Sequence, residues 1–316
     1  MTSSSIEAVN LSKRYNSFYA LSNLDLKIEG SNKCVGFLGP NGAGKTTTFK
    51  IFTGLIFPTE GEAIINGVDV RKDKKAALAS CSALVETPEI YPALTPKEAL
   101  TMIAETRGIP REERNKRIDE ALAQVKMEEW TSKKVGKFSK GMKQRVNIAS
   151  ALLSDPDTIL LDEPTVGLDP RGMTDVRDIV KSLKKNNKLI FMSSHLLSEV
   201  SDVCDEVAMI DHGKLLVYDT LANLTAKSSR GENAVEVGLS RQIDDGFVKT
   251  RIPELPGVVT VDKLDEKNLK IKFTGGVAAQ EEILSELVAM KIGIISFKHG
   301  YSSLEEAYLN LIKDSR

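Results

Sequence analysis

The sequence predicts an α/β protein built on a parallel sheet and followed by a smaller α+β unit. Three observations carry that prediction. The first is the run Gly-Pro-Asn-Gly-Ala-Gly-Lys-Thr at residues 39–46, set between an apolar segment of strand length (34–38) and a helical segment (47–53) that Gly54 stops. The second is Thr-Ile-Leu-Leu-Asp-Glu at 158–163, an apolar, β-branched run ending in two acids, after which strand and helix alternate as far as Ile210. The third is a stretch of Lys, Ser, Arg and Gly with little apolar content at 225–233, which reads as a linker.

The elements follow in order. Between Ile6 and Ile28 apolar and polar residues alternate, as in antiparallel strand pairs with one buried face. After the first helix, residues 58–61 read as a turn and 62–66 as a short strand ending in Asn66-Gly67. A brief apolar run, 83–85, leads into a loop kept extended by Pro88 and Pro92. Residues 88–155 form a mostly helical insertion, with Leu100, Ile103 and Ala104, then Ile118, Leu122 and Val125, at helical spacing. Beyond the acidic strand come a helix near 174–185, a strand at 189–192, a helix near 196–203 and a strand at 206–210. This order places ligands outside the carboxyl ends of the strands. The domains expected are 1–225, a linker at 226–233, and 234–316. In the last, strand, weak helix (242–251), two strands (257–264 and 268–273), helix (277–289), strand (293–299) and closing helix (303–313) give a βαββαβ order, that of a ferredoxin-like unit.

Composition narrows the function. Charged residues make up 28% of the 316 but balance to a net −1, so no overall field argues for nucleic acid. Cys34, Cys81 and Cys204 are odd in number and widely spaced, which fits a reducing compartment better than a zinc site or a disulfide frame. No run approaches the length of a membrane-spanning helix, and residues 1–5 lead straight into a strand-like segment without a signal-peptide core. Any membrane role is expected to come through a partner.

The motifs then supply chemistry. Gly39, Gly42 and Gly44 let the backbone bend around a phosphate chain, so that successive N–H groups and the helix N-terminus face negative charge. Lys45 reaches the terminal phosphates, and the Thr46 hydroxyl can join the shell of a magnesium ion. Of the pair that ends the acidic strand, Asp162 can hold magnesium through water, while Glu163 can polarise a water for in-line attack on a γ-phosphate. Ser139-Lys140-Gly141-Met142-Lys143-Gln144-Arg145 opens a helix with a good N-cap and a positive dipole end, which suits an anion. Tyr15, an aromatic in a loop, reads first as an ordinary edge residue and second as a stacking surface for a base.

Taken in this order, residues 39–46, 139–145, 160–165, Gly167-Leu168-Asp169 and Ser194-His195 make residues 6–225 resemble the ATP-binding cassette (ABC) ATPases. The resemblance implies a P-loop NTPase core of RecA-like type, with an antiparallel β subdomain and a helical subdomain. It also reverses the order of readings for Tyr15, which would stack on adenine. Gly39, Asn41, Gly42, Ala43, Gly44, Lys45, Thr46 and Thr47 would hold the ATP phosphates. Mg2+ would be held by Thr46 and Asp162, Glu163 would act on the attacking water, and His195 would contact the γ-phosphate. Ser139 and Gly141 would serve the nucleotide of a second cassette, since members of this family sandwich two ATP molecules between two copies, and Asp169 of the D-loop would also be a cofactor-binding residue.

Two departures stand out. The family usually has Gln where Glu86 stands, so a carboxylate would ligate the metal there; and Lys140 and Met142 replace the commoner Gly and Gln of the signature. Residues 86–92 and 139–145 look most like cassettes of antibiotic and drug exporters, as does the Leu-acidic-acidic-aromatic-Leu tail at 303–309. That branch implies separate membrane permease subunits, a homodimer of cassettes at the inner face of the cell membrane, and a coupling contact near 86–97. The competing readings are a soluble ABC ATPase acting on ribosomes or DNA, and a nucleotide-binding regulator without turnover. Against the first stand the single cassette and the neutral charge; against the second stands Glu163.

Overall fold

The computed structural model describes residues 4–86, 88–228, 232–300 and Tyr308. Alternating apolar residues build its first layer. Strands β1 (Ser5–Tyr15) and β2 (Phe18–Glu29) pair antiparallel, with Ile6 opposite Ile28 and Ala8 opposite Leu26. β4 (Glu60–Ile65) joins the free edge of β1, and β5 (Val68–Asp69) follows across the Asn66-Gly67 turn.

The second sheet carries the site. Strands β3 (Lys33–Leu38), β6 (Cys81–Leu84), β7 (Thr158–Leu161), β8 (Leu189–Ser194) and β9 (Glu206–Asp211) lie parallel in the order β9-β3-β8-β7-β6. Antiparallel β10 (Lys214–Thr220) closes the edge beside β9. β7 and β8 are buried along their whole length, which is why they read as unbroken apolar runs. Helix α1 (Lys45–Phe52) locks onto this sheet through Phe49, whose ring stacks on Phe191 at 5.0 Å, with Phe37 at 5.3 Å from Phe191. All three rings are fully buried, each worth about 1.5–3 kcal/mol of apolar transfer.

Short α2 (Lys74–Ala77) precedes β6, and the helical insertion contains α3 (Pro96–Thr106), α4 (Arg111–Gln124) and α5 (Lys140–Leu152). Thr95 and Glu98 form a reciprocal capping box at the start of α3. Helices α6 (Pro170–Lys185) and α7 (Leu197–Val203) flank β8 in sequence.

Several boundaries differ from the sequence expectation. α1 starts at Lys45 rather than residue 47, because left-handed Gly44 is its N-cap and the Gly44 carbonyl already accepts the Thr48 N–H at 3.0 Å. α6 starts at Pro170 rather than near Thr174: Asp169 caps it and Pro170 fits the first helical position, where no N–H is needed. Glu60 and Gly61, expected in a turn, belong to β4, and the half-buried β10 escaped notice because it lacks alternation. Residues 225–228, expected to read as linker, continue α8 (Leu221–Ser228), which Leu221 and Leu224 start at helical spacing.

The chain divides into two units after Thr220. The second unit holds α8, β11 (Glu232–Leu239), α9 (Asp245–Thr250), β12 (Val258–Lys263), β13 (Asn268–Thr274), α10 (Val277–Ala289) and β14 (Ile294–Gly300). Its sheet runs β12-β13-β11-β14 with every neighbour antiparallel, over a core that includes Val235, Ile271, Phe273, Ile283 and Leu287. The expected closing helix at 303–313 and the tail motif lie outside the described residues apart from Tyr308. Among the described residues no helix is long and apolar enough to cross a membrane.

Candidate active site

The site grows from the loop after β3. Gly44 sits at φ 107°, and a Cβ there would fall 2.5 Å from the Ala20 carbonyl oxygen, so both backbone and space demand glycine. The loop wraps its own lysine. Lys45 is 4% exposed, and its Nζ donates to the carbonyls of Gly39 at 2.7 Å and Pro40 at 3.0 Å.

Strand register brings two more segments alongside. Leu38 of β3 pairs with Ser194 of β8, and Met192 of β8 with Leu161 of β7, so the residues after all three strands emerge on one edge of the sheet. Asp162 is buried and accepts the Ser193 hydroxyl at 2.6 Å, while the Glu163 N–H donates to the same Ser193 oxygen at 2.8 Å. Glu163 adopts a left-handed backbone, φ 45°, which aims its side chain between two partners. Its Oε1 lies 3.3 Å from Lys45 Nζ and its Oε2 3.2 Å from His195 Nδ1.

A hollow of 290 Å³ opens over these groups. Tyr15, Phe18 and Ala20 form one wall, Asn41, Gly42, Gly44, Lys45, Thr46 and Thr47 the floor, and Glu163 the far end. Tyr15 and Phe18 are 46% and 62% exposed, and the Lys13 ammonium stands 5.1 Å from the Tyr15 ring. Gly39 and Ala43 are buried and do not line the hollow. Phe18, Ala20 and Ser193 were not anticipated; the signals available were an aromatic three residues after Tyr15 and a hydroxyl two before His195.

Ser139, Gly141, Asp169 and Glu86 do not line this hollow either. Ser139 caps α5, its hydroxyl accepting the Met142 N–H at 3.2 Å, and Asp169 caps α6 through the Gly172 N–H at 3.1 Å. Gly141 lies against α6: a Cβ on it would meet Gly172 Cα at 3.0 Å, so these two helix starts touch backbone to backbone. Glu86 is 65% exposed at its side chain and pairs with Lys50 Nζ at 2.6 Å.

The donors available to a cation are hard oxygens, the Thr46 hydroxyl in the hollow and the Asp162 carboxylate beside it. Among the described residues no group of three or more His, Cys, Asp or Glu could hold a metal unaided. That set fits Mg2+, which takes few protein ligands and fills its shell with water and phosphate oxygens.

A lysine-bearing phosphate loop between strand and helix, facing a carboxylate and a histidine from two adjoining parallel strands, defines a P-loop ATPase. Comparison with known proteins gives the family. A family model described as ABC transporter matches residues 21–166. The chain is 44% identical to the bacitracin transport ATP-binding protein BcrA of Bacillus licheniformis, over 67% of this chain and 68% of that one. It is 28% identical to the linearmycin resistance ATP-binding protein LnrL of Bacillus subtilis over 97% of both. A dimeric ATP-binding cassette in a post-hydrolysis state, bound to ADP and Pi, superposes with a TM-score of 0.60 at 28% identity, covering 68% of this chain and 98% of its own. The chain belongs to the ABC transporter ATP-binding proteins and is an ATPase subunit of that family.

Proposed function

We propose that two copies of this chain close on two ATP molecules and that hydrolysis drives export of an antibiotic or peptide through separate membrane subunits. The observation that carries the reading is Glu163 held between Lys45 and His195 at the mouth of the phosphate loop. ATP would lay its phosphates on the N–H groups of residues 41–47 and the start of α1, with the base on Tyr15 and Phe18 beside it. Lys45 would exchange its loop carbonyls for phosphate oxygens. Glu163 would then take the proton of a water as its oxygen bonds to the γ-phosphorus and the bond to the β-phosphate oxygen breaks. His195, whose Nδ1 lies 3.2 Å from Glu163 Oε2, would reach from that carboxylate to the γ-phosphate. Thr46 and Asp162 would hold Mg2+, with Glu86 a further candidate ligand; the ion would neutralise phosphate charge.

Ser139, Gly141 and Asp169 cluster at the starts of α5 and α6 and do not line the hollow, which supports a role toward the nucleotide of a second copy. The dimeric cassette among the similar structures favours the same arrangement. The relatives' names support antibiotic transport or resistance as the task. A position on the inner face of the cell membrane, through permease subunits seated near residues 86–97, follows from that reading; Tyr91 there is 65% exposed. The neutral net charge supports the absence of a nucleic-acid partner. We read residues 234–316 as a ferredoxin-like accessory domain, on the strength of its βαββαβ order and antiparallel sheet. The test is Glu163→Gln. It keeps shape and hydrogen bonding but removes the base, so ATP turnover falls at least about a hundredfold while ATP binding persists. Turnover within a few-fold of wild type would refute the assignment.

A further inference from the structure

Glu199, in the first turn of α7, is 3% exposed, and both its oxygens are taken. Oε1 accepts the hydroxyl of Thr165, two residues after Glu163, and Oε2 accepts the hydroxyl of Ser194 at 2.7 Å, immediately before His195. Ser194 Oγ in turn accepts the Leu196 N–H at 2.9 Å. Both hydroxyls are themselves buried, Thr165 at 4% and Ser194 at 2% exposure. A carboxylate is an acceptor only, so the direction of both O–H groups is fixed. Burying a carboxylate against neutral hydroxyls is costly, and an apolar contact would join the same two segments more cheaply if joining were all that mattered.

We infer that Glu199 is a positioning residue: it ties the loop that leaves Glu163 to the strand end that carries His195, and so sets the spacing of those two side chains. This rests on the reading of Glu163 and His195 as the groups that act on ATP. The left-handed backbone at Glu163 is unfavourable for a residue with a Cβ and persists only under outside constraint. Ser193 supplies one tie, at the Glu163 N–H, the Val166 N–H a second, to the Glu163 carbonyl at 3.2 Å, and Glu199 a further one, beyond it. Released from Glu199, the Glu163 carboxylate can swing out of reach of His195 Nδ1 while the phosphate loop, which Glu199 does not touch, keeps its shape.

The experiment is steady-state ATPase kinetics on the full chain carrying Glu199→Ala, Glu199→Gln, His195→Ala and the double Glu199→Ala/His195→Ala. Glu199→Ala lowers kcat about ten- to a hundredfold, with KM for ATP nearly unchanged. Glu199→Gln recovers most of the loss, because one hydroxyl can turn to accept from the amide. In the His195→Ala background the alanine at 199 costs clearly less than it does in the wild type, since one of the two groups whose spacing it sets is gone. Unchanged kcat in Glu199→Ala, or the same factor lost again in the double variant, overturns the inference. His195→Ala turning over at the wild-type rate overturns the site reading and this inference with it. Should Glu199→Ala fail to fold, Thr165→Val and Ser194→Ala each remove one tie and leave the carboxylate. Both are expected to lose kcat and to show the same masking by His195→Ala, and full kcat in both sinks the proposal.

Discussion

Lys50, in the last turn of α1, and Glu86 meet at 2.6 Å, and that hydrogen bond is the main reason the Lys50 pKa is raised. Glu86 stands where cassettes of this resemblance usually carry glutamine, on a left-handed backbone at φ 60°. The pair is exposed on the Glu86 side, so screening leaves it worth about 1 kcal/mol or less to the fold. Glu86→Gln therefore barely moves the unfolding midpoint. If the carboxylate leaves Lys50 to serve the metal, the same change raises the Mg2+ concentration that half-saturates ATP turnover, measured by titrating Mg2+ at fixed ATP. At this scale the residues legible in the sequence were those whose chemistry is local. Lys45 and Thr46 follow the glycines that need them, and Asp162 and Glu163 end an apolar strand. Glu199 was not legible: Thr165, one of its two partners, is 34 residues away, and nothing in the spacing of either pairs it with a buried carboxylate.

Helix α7 carries Glu199, and what fastens α7 to its neighbour is electrostatic as well as apolar. Asp202 accepts from Lys181 at 2.6 Å and from Arg177 at 3.2 Å, both on α6. The Lys181 hydrogen bond first, and the nearby charges of Lys181 and Arg177 after it, hold the Asp202 carboxyl below its ordinary 3.8. A depressed carboxylate stabilises the fold above its unfolded pKa and loses that contribution as the pH falls through the folded value. Asp202→Asn is thus expected to cost about 1 kcal/mol or less near neutral pH. The difference from wild type closes as the solution is acidified below 3.8, which denaturant unfolding at a series of pH values would follow. Elements were legible from sequence where burial imposed a period, as in β1, β2 and α10, or an unbroken apolar run, as in β7 and β8. They were misjudged at their ends, where one cap decides. Gly44 and Asp169 set the starts of α1 and α6, and α8 runs four residues into a stretch whose composition alone reads as linker. The β10 edge strand, half-buried beyond Lys214, offered no alternation to read.

For the whole molecule the decisive relation is between Lys45 and Ser139, which one copy of the chain keeps at separate places: one in the hollow, the other at the start of α5. A head-to-tail pair would oppose the hollow of each copy to the Ser139 end of the other, so each copy contributes half of two sites. Ser139→Asp isolates that contribution. Aspartate caps a helix as well as serine does, so the Met142 N–H keeps an acceptor and α5 keeps its stability, but in such a pair a negative charge would face the partner's phosphates. Lys45→Ala removes the phosphate-loop cation instead. Each variant alone is expected to bind no second copy productively and to turn over ATP at a small fraction of the wild-type rate. Mixed in equal amounts, half of the pairs are heterogeneous, and in each of those the two lesions fall in the same site while the other site has both Lys45 and Ser139. Turnover should then recover to about a quarter of wild type, read by phosphate release as the ratio of the two variants is varied, with a maximum near equality. A mixture as inactive as its components at every ratio would mean that the two residues serve one nucleotide within a single copy, or none together.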